Sequence, residues 1–169
     1  MEIIKYMTLL LIVLSSSYIG ILISKKYSNR VLDLKEMKNA LNMFSTKVKL
    51  TYEPIPEIFK EISNKMKINI SDIFRKTVKN MENKNAGDAW VQALDECNTN
   101  MNKEDIKVLK GLSNLLGKVD IEGQVSEIEL VDTFLNTQIE KAEYEKKKNE
   151  KMYKTLGITI GLAISIILV

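Results

Sequence analysis

The side chains that most often perform catalysis are scarce in this sequence. It has no histidine, which excludes Ser-His and Cys-His nucleophile pairs, and its one thiol, Cys97, is too few for a Cys/His zinc site or an internal disulfide. No P-loop or Gly-x-Gly-x-x-Gly motif is present to hold a phosphate or a dinucleotide. A catalytic lysine or a pair of carboxylates is the enzyme chemistry that this composition still permits. We therefore predict a protein that is not an enzyme and that binds no metal and no cofactor.

Lysine is the abundant reactive side chain, and its position along the chain indicates a membrane. Residues 28–151 carry 21 basic and 21 acidic side chains, so the net charge of +3 comes from the two ends. A neutral middle lacks the clustered basic face that nucleic acid requires, and we predict no nucleic-acid partner. The positive charge lies beside uncharged runs, as it does in membrane proteins.

Two uncharged runs are candidates for membrane helices. Residues 6–24 would form a helix of about 28 Å, close to the roughly 30 Å hydrocarbon core. Lys25 and Lys26 replace the small residues of a cleavage site, which favours a retained anchor over a signal peptide. Residues 155–169 would span about 22 Å, which is shorter than the hydrocarbon core. The difference must be covered by Lys154 reaching the headgroups, by local thinning of the bilayer or by a neighbouring helix. The alternative for this second run is a helix buried in a soluble core.

The basic residues flanking the two runs predict an orientation. Five basic residues follow the first run and five precede the second, so all ten lie on the side of the central segment. Lys5 is the one basic residue on the terminal side of either run. By the positive-inside rule, the central segment lies in the cytoplasm and both termini lie outside. Lysines near a membrane attract anionic lipids by about 1 kcal/mol each, so we expect a lipid bilayer with anionic lipids as a partner. The ten residues are Lys25, Lys26, Arg30, Lys35, Lys38, Lys146, Lys147, Lys148, Lys151 and Lys154.

Apolar residues of the central segment recur at helical spacing. They predict helices over residues 29–51 and about 56–67, separated by prolines, and further helices that open at Ser71, Asp88, Asn102 and Asp120. Asp105 would complete a capping box with Asn102, and Gly117 would end the fifth helix. The predicted core positions are Val31, Leu34, Leu41, Phe44, Val48, Ile58, Phe59, Ile62, Ile73, Phe74, Val78, Met81, Trp90, Val91, Leu94, Ile106, Leu109, Leu112 and Leu116.

The sixth predicted helix is the longest, because residues 124–156 contain neither proline nor glycine. Its apolar stripe comprises Val125, Ile128, Val131, Leu135 and Ile139. Residues 143–151 have good helix formers but no apolar face, which is typical of a helix that leaves its bundle. We predict a rigid stalk there, with a frayed linker as the alternative.

The predicted fold class is therefore all-α. A cytoplasmic six-helix bundle lies between two transmembrane helices, and its long last helix continues into the C-terminal span. The predicted parts are an N-terminal anchor with its basic flank over residues 1–27, a cytoplasmic helical domain with its stalk over residues 28–151, and a C-terminal transmembrane segment over residues 152–169.

Short motifs follow one another in a specific order. Their residues are Tyr52, Pro54 and Ile55 in "LTYEPIPEIF", then Ala89, Trp90, Ala93 and Leu94, then Glu104, Asp105, Leu109, Leu116, Gly117, Asp120 and Gln124. Together with a final helix ending in "EKMYKTLG" and an apolar C-terminal segment, this order resembles the stage III sporulation protein AB family of endospore-forming bacteria. That family is similar in turn to the cytoplasmic domain of the F-type inner-membrane platform protein of type II secretion and type IV pilus machines.

The resemblance implies a role in sporulation. Members look like parts of a secretion-like channel complex between mother cell and forespore, so the protein would lie in the mother-cell membrane around the forespore. It would act as a platform protein that couples a cytoplasmic secretion-type ATPase to other sporulation channel membrane proteins, and an oligomer is compatible with this role. The residues alone leave an alternative, a membrane-anchored sensor or adaptor that binds a ligand or a regulatory protein in an apolar pocket.

Most of the motif residues are expected to be structural. Trp90 would anchor the core, with a docking hot spot for the ATPase as its alternative role. Asp120 would cap a helix, and Gln124 would hydrogen-bond at the same helix start.

Small residues on the two membrane runs predict that the runs pack together. Gly157 and Gly161 form a Gly-x-x-x-Gly motif, which lets helices approach closely, and Ser16 and Gly20 offer a matching small face.

Overall fold

The structure of the protein is a computed structural model that describes residues 2–51, 53–114, 116 and 121–168. At residues 2, 121, 122, 124, 125 and 127 it describes the backbone alone. Within these ranges all regular structure is helical and the last helix is long, which confirms the predicted all-α fold. The elements are α1 (Glu2–Thr51), α2 (Ile55–Lys65), α3 (Ile68–Asn80), α4 (Ala86–Glu96), α5 (Lys103–Lys110), a short 3-10 turn (Gly111–Asn114) and α6 (Ile121–Leu168).

The chain forms two compact units. We call Met1–Val31 with Lys141–Val169 the two-helix unit, and Leu32–Glu140 the helical domain. The predicted domain boundaries, between residues 27 and 28 and between residues 151 and 152, lie close to the charged residues that border each uncharged run. In the two-helix unit, α1 and α6 stay in contact beyond their apolar runs, as far as Arg30 and Glu145.

The predicted anchor and the predicted helix over residues 29–51 form one helix, α1. No proline or glycine lies between residues 21 and 51 to interrupt it. Pro54 then serves as the N-cap residue of α2, and Pro56 lies in its first turn, where a missing N–H costs nothing.

Four aromatic rings fill the centre of the helical domain. The ring centroids of Phe44 and Phe59 are 4.9 Å apart, those of Phe59 and Phe74 are 5.0 Å apart, and those of Phe74 and Trp90 are 5.4 Å apart. The rings meet edge to face or tilted, which is the arrangement that aromatic quadrupoles favour. Trp90 is fully buried, and its Nε1–H donates to the carbonyl oxygen of Leu109 at 2.7 Å. Trp90 is therefore a core anchor, as predicted.

Most predicted core positions are buried. Val78, Met81, Val91 and Ile106 are half-buried, and the side chain of Val125 lies outside the described residues. The buried positions are Val31, Leu34, Leu41, Phe44, Val48, Ile58, Phe59, Ile62, Ile73, Phe74, Trp90, Leu94, Leu109, Leu112, Leu116, Ile128, Val131, Leu135 and Ile139.

The predicted capping box at the start of α5 is confirmed. Asn102 Oδ1 accepts from the backbone N–H of Asp105 at 2.8 Å, and Asp105 Oδ2 accepts from the backbone N–H of Asn102 at 2.8 Å. The fourth helix begins slightly before the predicted Asp88, because Asn85 is its N-cap and accepts from the N–H of Asp88 at 2.9 Å.

The predicted start of the third helix is wrong. The helix begins at Ile68 rather than Ser71, and the Ser71 hydroxyl donates to the carbonyl oxygen of Ser63 at 2.6 Å instead of capping. The backbone N–H of Lys67, the N-cap residue, donates to Glu36 Oε1 on α1 at 2.9 Å. A tertiary contact thus satisfies the donor at this helix start, and local sequence cannot reveal it.

A buried carboxylate on α1 connects three parts of the helical domain. Asp33 is 7% exposed and accepts from Asn69 Nδ2 on α3 at 3.1 and 3.2 Å. It also accepts from the backbone N–H and from Nδ2 of Asn100, in the loop before α5, at 2.8 and 2.9 Å. Asp33 therefore fixes the start of α3 and the loop before α5 against α1.

Asp33→Asn should destabilise the protein by about 1–3 kcal/mol, because it places an amide donor where a carboxylate oxygen accepts hydrogen bonds. Thermal unfolding of the full chain in detergent, followed by circular dichroism, measures the loss. The control is Asp72→Asn, which removes an exposed pairing with Arg75 and should cost less than about 1 kcal/mol. Equal losses for the two variants would contradict the role of Asp33.

Candidate interaction surfaces

In the two-helix unit, α1 and α6 meet backbone to backbone at small residues. The Ser16 hydroxyl donates to the carbonyl oxygen of Gly157 at 2.7 Å. A Cβ on Gly20 would lie 2.6 Å from the carbonyl oxygen of Tyr153, and one on Gly157 would lie 2.8 Å from that of Ser16. A Cβ on Gly161 would lie 3.2 Å from Ser16 Cβ. The structure thus brings together Ser16, Gly20, Gly157 and Gly161, and we call them the small-residue seam.

Both helices of this unit are long and apolar enough to cross a membrane, judged by length and composition. Their outward side chains, such as Leu10, Leu14, Ile160 and Leu162, are half or more exposed. A helix in a soluble core would bury such side chains. The two helices run antiparallel, because Ser165 contacts Leu9 at one end of the unit while Tyr153 contacts Tyr27 further along.

Polar contacts continue the pairing beyond the apolar runs. The rings of Tyr27 and Tyr153 stack with centroids 5.8 Å apart, and hydrogen bonding to Tyr153 raises the pKa of Tyr27. Arg30, 6% exposed, pairs with Glu145 at 2.7 Å. The predicted stalk is helical, which excludes the frayed linker. However, it does not stand alone in solvent, because α1 covers the face of α6 that carries Glu145.

Another face of the same stretch of α6 carries lysines. Glu143, Lys146, Lys147, Glu150, Lys151 and Lys154 line an open groove. Lys154 pairs with Glu150 at 2.8 Å, and this contact lowers the pKa of the Glu150 carboxyl. We call these six residues the lysine groove.

The motif residues of the helical domain have mostly structural surroundings where the structure describes them. Pro54 is the N-cap residue of α2, Trp90 and Leu116 are buried, and Asp105 completes the capping box of α5, whereas Glu104 is exposed. Tyr52, Gly117 and Asp120 lie outside the described residues, as does the side chain of Gln124.

An exposed aromatic side chain marks a surface that the sequence analysis missed. Phe134 is 49% exposed, unlike the four aromatic side chains of the core, and so is Leu130 one turn earlier. Both border a groove of about 380 Å³ with Val108 and Lys107 of α5 and with Gly111. We call this the Phe134 face. The available signal was that Leu130 and Phe134 are apolar but lie off the core stripe of α6.

The lone thiol is a weak nucleophile. Cys97 is half-buried, and burial raises the pKa of its thiol, although nearby Lys76 opposes this shift. The thiolate, which is the reactive form, is therefore disfavoured at neutral pH. Among the described residues, no group of three or more His, Cys, Asp and Glu side chains could hold a metal ion.

Comparison with known proteins identifies the family. The family model described as stage III sporulation protein AB matches residues 5–169. The chain belongs to the stage III sporulation protein AB family. It is similar to stage III sporulation protein AB of Bacillus subtilis (strain 168), with 26% identity over 97% of this chain and 98% of that protein. A solved structure of stage III sporulation protein AB (SpoIIIAB) has a similar fold, with a TM-score of 0.64 and 21% identity over 71% of this chain and 98% of that chain. Membership of the stage III sporulation protein AB family supports a role in sporulation.

Cysteines at the small-residue seam should form a disulfide. In a Cys97→Ser background, Ser16→Cys with Gly161→Cys places two Cβ atoms 3.2 Å apart. A Cβ at position 161 also lies 2.9 Å from Val13 Cα, so the helices must separate by a few tenths of an ångström, which moves the two Cβ atoms toward the roughly 3.5–4.5 Å that a disulfide requires. After oxidation in membranes and denaturation in sodium dodecyl sulfate, both thiols should resist maleimide because they form a disulfide, as mass spectrometry would show. The control pair is Tyr18→Cys with Ile160→Cys, both exposed, and it should remain reactive. Free thiols at 16 and 161 in oxidised protein would show that the seam does not form in the membrane.

Proposed function

We propose that the protein is a non-catalytic membrane platform component of a secretion-like channel complex between mother cell and forespore. It couples a cytoplasmic ATPase of the secretion type to membrane partners of the complex. It lies in the mother-cell membrane around the forespore, and its helical domain faces the cytoplasm. Family membership supports the sporulation role.

One observation supports the membrane part of this proposal: the lysines that border the apolar runs of α1 and α6 lie at the same height along the helix pair. Tyr27 stacks on Tyr153, so the first lysines after the apolar run of α1 and the last lysine before that of α6 lie at one end of the pair. Stacked tyrosines beside lysines are typical of the membrane interface. Two antiparallel spans then enter the bilayer from one side, and the chain between them remains on that side.

The Phe134 face supports docking of the ATPase on the helical domain. Interface hot spots are enriched in aromatic side chains, and Trp90, the alternative hot spot, is fully buried. Phe134 and Leu130 lie four residues apart on α6, so they present one apolar strip with Lys107 and Glu104 beside it. A protein segment with an apolar face and a mixed-charge edge fits such a strip.

The sensor or adaptor hypothesis has less support. It predicts a defined apolar pocket among the helices, but aromatic rings fill the centre of the helical domain. The grooves at the Phe134 face and beside Leu94 and Met101 are open to solvent.

Labelling of an introduced thiol tests the orientation. The native thiol is a poor reporter because it is half-buried, so we choose Lys84→Cys, at an exposed site, in a Cys97→Ser background. The variant is expressed in vegetative cells, whose membrane faces the medium directly. A membrane-impermeant maleimide should leave intact cells unlabelled and should label permeabilised cells. Labelling of the thiol at position 84 in intact cells would contradict a cytoplasmic helical domain.

Capture from sporulating cells tests the coupling. Tagged full-length protein should recover a secretion-type ATPase, and Phe134→Ser should reduce the recovered amount at least several-fold because it removes an aromatic anchor. The matched control is Ile68→Ser, which removes another exposed apolar side chain of the helical domain and should recover the normal amount. Capture of the ATPase by neither variant nor the native chain would contradict coupling, whereas equal capture by all three would contradict only the docking face.

A further inference from the structure

We propose that the lysine groove on α6 is a binding site for the phosphodiester headgroup of an anionic phospholipid. The inference rests on the proposed membrane insertion of the two-helix unit, but it does not depend on the ATPase or on the channel complex. Phosphate oxygens are the ligands expected for closely spaced ammonium groups.

The electrostatics of the groove favour an anion between its lysines. Lys147 and Lys151 are exposed and lie four residues apart, so their ammonium groups share one face of the helix. Like charges at this spacing destabilise a helix, and a bound anion relieves the repulsion. Among the described residues, the ammonium group of neither lysine donates a hydrogen bond or forms an ion pair; Lys151 accepts from the Thr155 hydroxyl only through its backbone carbonyl oxygen. Glu150 is already engaged by Lys154 and therefore does not neutralise them.

The position of the groove identifies the anion as a lipid. Lys154 is the last charged residue before the uncharged run of α6, and neighbouring Tyr153 stacks on Tyr27 at the expected interface. Lys151 lies about 5 Å, and Lys147 about 10 Å, from Lys154 along the helix at roughly 1.5 Å per residue. The headgroup region of one leaflet is about 5–8 Å thick, and lysine side chains extend along a surface toward it.

The groove also faces away from the partner helix. Glu145, which contacts Arg30, lies about 160° around α6 from Lys147 at roughly 100° per residue, so α1 does not cover the lysines. A lipid can therefore reach the groove while the two helices remain paired.

The chain provides a matched pair of variants. Lys147 lines the groove, whereas its neighbour Lys148 does not, although both are exposed. Lys147→Gln and Lys148→Gln remove the same charge at almost the same distance from the membrane. A uniform attraction of positive charge to the bilayer would treat them alike, and a headgroup site would distinguish them.

The test is native mass spectrometry of the full chain in detergent, titrated with phosphatidylglycerol, with phosphatidylcholine and with inorganic phosphate in separate arms. The native chain should bind phosphatidylglycerol in preference to phosphatidylcholine. Lys147→Gln should weaken this binding about fivefold, which corresponds to about 1 kcal/mol for one lysine near a surface. Lys148→Gln should bind within error of the native chain. Circular dichroism should show equal melting of the three proteins.

Each other outcome overturns the proposal. Equal weakening by both variants would mean general charge attraction without a site, and equal binding of both lipids would mean no headgroup recognition. Displacement of phosphatidylglycerol by comparable concentrations of inorganic phosphate would identify a free-phosphate site instead. None of these results bears on thiol labelling at position 84 or on capture of the ATPase, so failure of the lipid site is distinguishable from failure of the proposed function.

Discussion

The backbone contact between Gly20 and Gly157 is the constraint on which the two-helix unit depends. In a bilayer, apolar side chains gain little by leaving lipid for a neighbouring helix, so association relies on close packing and on interhelical hydrogen bonds. Glycine supplies the close approach, and the Ser16 hydroxyl supplies a hydrogen bond to the backbone of α6. Because the helices meet here, Tyr27 can reach Tyr153 and the lysines of α6 are left on an uncovered face.

The helical domain is held by a different balance of forces. Its aromatic core removes large apolar surfaces from water, which drives folding but specifies few positions uniquely. Directional contacts supply that specificity. Trp90 donates to Leu109, and Asp33 accepts from two asparagines in separate segments, so each buried polar group selects one arrangement of the helices around it. The Phe134 face lies outside both kinds of interaction and remains exposed.

Local sequence signals predicted what local physics determines. Helical periodicity predicted which side chains of α6 are buried. The spacing of Asn102 and Asp105 predicted the capping box at the start of α5. The start of α3 was not predictable in this way, because its first donor is satisfied by Glu36 from another helix. The contact of α1 with the stalk was not predictable for the same reason. It depends on a pairing between Arg30 and Glu145, which are 115 residues apart in the sequence. The Phe134 face was predictable in principle from apolar residues that lie off the stripe.

The seam has a mechanical consequence. Sliding one helix along the other by a single residue, about 1.5 Å, would move the glycines out of the register in which the two backbones meet and would break the hydrogen bond from Ser16. Piston-like displacement of α6 against α1 is therefore blocked. A push delivered to either helix is shared by both, and the pair can respond by tilting or rotating as one body.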